Sequence, residues 1–278
     1  KEPITNKDAF AGRLKKISLA FRQIASLPDL IGVAEAENLS TLKRLAEQIN
    51  RDVVSSGKPD PKYEAFLEEG NDGRGIDNGF LVKASKLKVD EVKQYGKDEK
   101  YKHPRTGENV FLNDRPPLMI RVSLKDKPGF SFTVFANHLK SFLGYNTPNQ
   151  MDNVRMKKRL QAEYLAKLVQ ERQKADAKEK IIVLGDFNAY QFNDGVVDLL
   201  GIVTGKPAEK DAVLNFSPDV VEPDLINLVD FIDRSQRYSY TYDGNAQVID
   251  HMLISVTLRS HINGFGYARF NADHPDSY

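Results

Sequence analysis

The sequence predicts an α+β fold in which two β-sheets are layered with helices, and three observations predict it. Apolar residues repeat at helical spacing in three separate stretches, short apolar runs of strand length stand between them, and polar segments rich in Gly, Pro, Asn and Asp punctuate the middle of the chain. No internal repeat, low-complexity tract or interdomain linker interrupts the pattern, so residues 1–278 read as one domain.

In chain order, Leu14, Ile17, Phe21 and Ile24 mark the apolar stripe of a first helix. Residues 30–34 (LIGVA), after Pro28, read as a buried strand that ends at Glu35. Asn38 or Ser40 then caps a second helix carrying Leu42, Leu45, Ala46 and Ile49. Strand-like pieces follow at residues 79–82 (GFLV), 118–122 (LMIRV) and 132–136 (FTVFA). A long helix over residues 153–172 keeps Met156, Leu160, Tyr164 and Leu168 on one face and leads through a charged turn into residues 181–184 (IIVL). The last third offers a short helix at 196–200, the alternating run YSYTY at 238–242 and the apolar strand VIDHMLI at 248–254.

Composition narrows the function classes. With 278 residues, 40% hydrophobic and 28% charged, the chain can bury a sizeable core. No apolar run reaches the roughly 18 residues of a bilayer span, and the opening KEPITNKDAF lacks the layout of a signal peptide. Lys plus Arg (40) almost cancel Asp plus Glu (39), which argues against holding nucleic acid by bulk positive charge. A catalyst that touches a few phosphates needs only a local patch; Arg155, Lys157, Lys158 and Arg159 supply one or else form a solvated helix face. With no cysteine, disulfides and thiol chemistry are excluded. Any metal must then be held by carboxylates, amides, carbonyls or imidazoles, a donor set suited to Mg²⁺, Mn²⁺ or Ca²⁺.

Residues 181–189, IIVLGDFNA, carry the strongest chemical signal. A buried strand runs into Gly185, which permits a sharp turn, and presents Asp186 and Asn188 at a strand end, where α/β proteins place reactive groups. A carboxylate two residues from a neutral amide suits phosphoryl chemistry. Asp186 can orient or deprotonate water, while Asn188 donates to a phosphate oxygen without adding negative charge. Asp250, inside an otherwise apolar strand, is costly to bury alone and needs a specific partner. His251 falls on the opposite strand face and reads as packing. Glu35, taken by itself, is equally well an ordinary strand-end charge, and Glu37 a surface or helix-cap residue.

A strand followed by Gly185-Asp186-Phe187-Asn188 resembles the endonuclease/exonuclease/phosphatase superfamily, and other segments are similar to its motifs in the expected order. Residues 31–38 (IGVAEAEN) resemble the strand ending in Q-E-V-E-N, with Ala34 in place of the usual Gln, which implies that Glu35 is the metal ligand. Residues 137–141 (NHLKS) resemble a segment of bacterial nuclease-like members. The resemblance places His138 beside the scissile phosphate, as a donor to a phosphate oxygen or to the leaving group, and lets Lys140 offset phosphate charge. Arg115, entering strand LMIRV, corresponds to an arginine that contacts a substrate phosphate; a surface salt bridge is the other reading. Arg74 to Asn78 match a family segment without an assigned chemical role. Asp250 corresponds to the aspartate that orients a catalytic histidine supplied near the C-terminus.

The match fails at the ends. Asp273-His274 lies in a stretch resembling N-A-D-F-P, so His274 occupies a phenylalanine position, and the family's first and last strands are expected to be missing from this chain. The resemblance implies a four-layer αββα (DNase I-like) sandwich with two mixed β-sheets. It also implies a divalent-metal-dependent phosphodiesterase, most simply an endonuclease acting on DNA or RNA with Mg²⁺ or Mn²⁺. A phosphoinositide or sphingomyelin-type phosphoesterase, and a catalytically impaired binding domain of the same fold, are the alternatives. A monomer with no stable protein partner and no membrane span, secreted or periplasmic, is expected.

Overall fold

Two asparagines start the first two helices in the same way, each side chain accepting a hydrogen bond from the backbone N–H three residues on. Asn6 accepts from Ala9 at 2.8 Å and opens α1 (Lys7–Gln23). After β1 (Leu30–Ala36), Asn38 accepts from Thr41 at 2.8 Å and opens α2 (Leu39–Ser55), so of the two expected caps Asn38 is the one used. The structure, a computed structural model, describes residues 6–269. His274, and with it the expectation of a missing last strand, lies outside the described residues.

Next come β2 (Tyr63–Leu67), β3 (Asp77–Lys83), β4 (Leu87–Gln94), β5 (Lys100–Lys102), β6 (Asn109–Phe111), β7 (Leu118–Leu124) and β8 (Ser131–His138). Helix α3 (Met151–Ala175) carries the chain to β9 (Ile181–Asp186), followed by α4 (Leu199–Thr204), β10 (Ile226–Asn227), β11 (Tyr240–Tyr242), β12 (Asn245–Gln247) and β13 (Asp250–Ile254). The short helix sits later than residues 196–200 because Asp198 caps it, accepting from Gly201, and Gly205 at φ 86° ends it. The alternating YSYTY run pairs only with β12, in a hairpin outside the main sheets.

The sheets are ordered β1-β3-β2 and β10-β13-β9-β8-β7-β4. Parallel neighbours need a long crossover, and among the described residues only β8 and β9, joined through α3, are parallel. The mixed character expected of both sheets is therefore carried by the six-stranded sheet, and the three-stranded sheet is antiparallel throughout.

Strand alternation builds the layers. Val134 and Ala136 of β8 pack with Phe80, Val82, Leu118 and Ile120 between the two sheets. Phe135 and Met119, on the other face, pack against Ala162, Leu165 and Val169 of α3. Leu42, Leu45 and Ile49 of α2 pack with Leu14 of α1 on Leu67 and Leu81. The result is α1 and α2, the three-stranded sheet, the six-stranded sheet, then α3 and α4: four layers in αββα order. Each fully buried side chain of Phe or Leu size contributes roughly 2–3 kcal/mol. Among the described residues no helix is long and apolar enough to cross a membrane.

Candidate active site

Strand pairing puts three of the expected residues in one row. His138 is opposite Asp186 across the parallel pair β8 and β9, and Asp186 is opposite Asp250 across the antiparallel pair β9 and β13. Paired residues share a face, and neighbouring strands lie roughly 4.8 Å apart, so the three side chains stand side by side at one sheet edge. One residue along, Asn137, Gly185 and His251 form the row of the opposite face. Gly185 is required there: at φ 134° an added Cβ would lie 2.0 Å from the Asn137 carbonyl oxygen.

His251 is buried and fully engaged. Asn227 donates to its Nδ1 at 3.1 Å and its Nε2–H donates to the Ala189 carbonyl at 2.9 Å, the one tautomer that satisfies both. The ring also meets Phe187 edge-on.

Glu35 comes from the other sheet by a different device. Val33 pairs with Gly79 but Ala36 pairs with Asp77, so Ala34 and Glu35 together oppose the single residue Asn78. This is a β-bulge, and bulges beside active sites re-aim side chains. Glu35 takes φ 58°, a left-handed conformation that L residues pay for, and its side chain is exposed on the cleft wall.

The cleft between these elements has a volume of about 440 Å³, and its walls include Glu35, Arg115, His138, Lys140, Asp186 and Asn188. The structure thus brings six of the seven expected site residues to one cavity, while Asp250 stands behind Asp186. Asp72, Arg74 and Asp114 also line it; sequence reasoning gave them no role, although Arg74 stood in a recognised segment.

Arg115 is neither a surface ion pair nor a loose phosphate clamp. It is buried, and its guanidinium donates to the His138 carbonyl (3.2 Å), the Leu139 carbonyl (3.0 Å) and Asp72 (2.6 Å). Three of its five N–H groups are committed to shaping the loop after β8. Asp72 is also held by Arg74, and these cations keep its carboxyl well below the usual carboxylate range.

The basic run on α3 likewise turns inward. Lys157 donates to Asp114 at 2.7 Å, Arg155 donates to the Tyr145 carbonyl and Asn146, and Arg159 pairs with Glu163. Lys158 is 1% exposed and donates to the carbonyls of Lys140 (2.9 Å) and Asn188 (2.5 Å). Helical periodicity alone gave no sign that these charges face the core rather than solvent or phosphate. Lys158 laces together the loops that follow β8 and β9. Asn188, at φ 48°, is fixed from both ends: its N–H donates to Asp186 at 2.7 Å and its amide group donates to the Leu139 carbonyl at 3.1 Å. One of the two amide N–H groups expected to meet phosphate is therefore already used.

The model of the Endonuclease/Exonuclease/phosphatase family matches residues 5–273 of this sequence. The chain belongs to that family. Among curated proteins no sequence matches. Solved structures of the same fold include a family member from Bacteroides thetaiotaomicron, 18% identical, covering 90% of this chain and 76% of that one at a TM-score of 0.53. Truncated Caenorhabditis elegans TDP2 is 14% identical, with coverage of 89% and 78% and a TM-score of 0.52. The B. thetaiotaomicron mannosyl-6-phosphatase is 17% identical, with coverage of 90% and 78% and a TM-score of 0.53. The activities in the family's name share one reaction, hydrolysis of a phosphoester bond.

Burial shifts the titration of the groups around the cleft. Asp186 is pushed up to about 7, first by burial and then by the Asp250 carboxylate beside it. Asp250 is raised by burial as well. His138 is lowered to about 4, by burial and then by Arg115, so it is neutral near pH 7 and its 3.6 Å approach to Asp186 is not an ion pair. The buried Nδ1 of His138 has no hydrogen-bond partner among the described residues. Lys140 is lowered by burial.

No group of three or more His, Cys, Asp or Glu among the described residues is arranged to hold a metal ion. Mg²⁺ keeps several waters and binds through one or two carboxylates, so an exposed hard oxygen donor such as Glu35 fits that mode of binding. Asp72, saturated by two arginines, does not compete with it.

Proposed function

We propose that this family member is a divalent-metal-dependent phosphodiesterase that cuts nucleic acid, with Asp186 as the base that prepares the attacking water. The observation that carries this reading is the row His138, Asp186, Asp250 standing in register at one edge of a cleft whose opposite wall holds Glu35.

A base poised near neutrality is half charged at working pH and still strong enough to accept a proton, which is the tuning that general-base catalysis favours. Asp186 takes a proton from water as the oxygen attacks phosphorus, and Asp250 keeps that proton on the carboxyl by disfavouring a second negative charge. Neutral His138 donates an N–H to a non-bridging phosphoryl oxygen, and the remaining amide N–H of Asn188 serves another. Lys140 offsets phosphate charge. Glu35 would hold Mg²⁺ or Mn²⁺, which when bound would supply positive charge for the crowded phosphoryl oxygens. The bond from phosphorus to the leaving oxygen then breaks, and that oxygen takes up a proton from solvent water, to which Asp186 later returns its own. Nucleic acid is favoured over a phosphoinositide or sphingolipid because NHLKS resembles the nuclease-like subgroup and the cleft is walled by charged and amide side chains.

The test is nicking of supercoiled plasmid with Mg²⁺ or Mn²⁺, with EDTA and Asp186→Ala as controls. Metal-dependent nicking that both controls abolish supports the reading. An Asp186→Ala protein that nicks at the wild-type rate overturns the mechanism, and a wild type that leaves plasmid intact while releasing phosphate from a soluble monoester overturns the substrate.

A further inference from the structure

Beside the cleft, three rings stack in a ladder that the chemistry above does not use. Phe142 and Tyr190 stack with centroids 5.1 Å apart and planes at 24°; Tyr190 and Phe192 stack at 5.2 Å and 12°. The inner end is anchored. The Phe142 ring covers the Lys158 ammonium at 4.2 Å and meets Tyr145 edge-on, and the Tyr145 hydroxyl donates to Asp194 at 2.7 Å, tying the loop after β8 to the loop after β9. The outer end is open: Phe192 is 59% exposed, an unusual place for a ring held in a fixed stack.

Phe192 also walls a second cavity of about 290 Å³, whose polar lining includes Gln191, Asn193, Asp198, Lys206, Asn227 and Asp230. That cavity combines an aromatic wall with amide, ammonium and carboxylate groups. Its position is rigid relative to the site, because Asn227 holds His251, and His251 holds the carbonyl of Ala189, the residue before Tyr190. The ladder therefore leads from the edge of the catalytic cleft, where Phe142 adjoins Ser141 and Leu143, to a cavity about two ring spacings away.

We propose that Phe192, backed by Tyr190 and Phe142, is a stacking subsite for an unpaired nucleobase of the strand being cut, with the second cavity lying beside that base. Aromatic stacking accepts any base face and needs the base out of its duplex, so the subsite favours single-stranded or locally opened nucleic acid. A prepaid stack costs little ordering on binding, and that is the advantage of holding three rings in register before substrate arrives. The inference rests on the nuclease reading and adds a substrate preference to it.

The experiment compares kcat/KM for a single-stranded DNA oligonucleotide with that for the same backbone carrying stable tetrahydrofuran abasic units, both with Mn²⁺. Wild type is expected to prefer the base-bearing strand by on the order of tenfold. Phe192→Leu, which keeps apolar bulk without a π face, should bring that ratio close to one, and Phe192→Tyr should keep it. Equal rates on the two strands, or a ratio unchanged by Phe192→Leu, overturns the subsite while leaving the nuclease reading standing. Failure of the wild type to cut either strand while it still nicks plasmid overturns the subsite alone, and failure on all three substrates overturns both.

Discussion

The two walls of the cleft are built by opposite means. On the six-stranded sheet, His138, Asp186 and Asp250 owe their positions to unbroken pairing: consecutive register positions, extended backbone and a buried setting. On the three-stranded sheet, Glu35 owes its position to a break in pairing, with two residues opposing one and a left-handed backbone. The regular wall is suited to holding a proton, because burial raises a carboxyl's affinity for it. The irregular wall is suited to meeting a cation, because a bulge at the end of a strand lets a carboxylate reach solvent. One fold thus supplies a buried carboxyl by pairing one strand and an exposed one by breaking another.

Substitutions break this contrast to different degrees. Asp186→Ala is expected to have the largest effect, lowering kcat/KM by on the order of 10³-fold in a metal-supported plasmid assay; a loss below tenfold would remove Asp186 from the chemistry. Glu35→Gln should cost on the order of 10²-fold and weaken Mn²⁺ binding measured by calorimetry, whereas Glu35→Gly, equally inactive, should gain about 1 kcal/mol in urea unfolding by relieving the positive φ. If Glu35→Gly instead destabilises, the bulge is not strained. On the regular wall the corresponding change is Gly185→Ala, whose Cβ has no room beside Asn137. It should lose roughly 3 kcal/mol or more of stability, visible as a lower melting temperature.

Protonation sharpens the contrast further. With Asp186 as the proposed base, sitting near 7, the rate should climb with pH to about 7 and then level; His138, held near 4, adds no falling limb between pH 5 and 9. The linkage to stability runs the other way. The folded protein holds a proton on Asp186 above the ordinary value of 3.8, so its contribution is fully present below about pH 4 and is lost as pH rises through about 7. Asp186→Asn should therefore melt a few degrees higher than wild type at pH 8 and show no gain at pH 4; equal differences at both values would mean that the carboxyl is not perturbed.

Much of this was legible in the sequence, and the division is physical. The apolar runs at residues 30–34, 118–122, 132–136 and 181–184 declare strands buried on both faces, and they include the strands that place Glu35, His138 and Asp186. Strands β2 and β4 were not legible, because YEAFL and LKVDEVKQ carry the mixed faces of sheet margins and lack an apolar run. GDFN and NHLKS announced side chains that point into the site. The residues that hold the site together were hidden: Arg115 looked like a phosphate ligand and Lys158 like surface charge, since a motif shows a side chain's chemistry and not whether a backbone carbonyl has already claimed it. The bulge at Glu35 was hidden for a similar reason, because register belongs to a pair of strands and a sequence shows them one at a time.

The register of β13 also has a consequence in time. Asp186 is flanked by a partner 48 positions earlier in the chain and another 64 positions later, a spacing read directly from His138 and Asp250. During synthesis β8 and β9 can pair around α3 while β13 has yet to leave the ribosome, and at that stage Asp186 sits at the sheet's open margin, solvated and with no carboxylate beside it. The basic form of the reaction centre, poised near neutrality, comes into being only when β13 docks and closes the row. A row built this way stays incomplete until Asp250 has been made and β13 has docked beside β9.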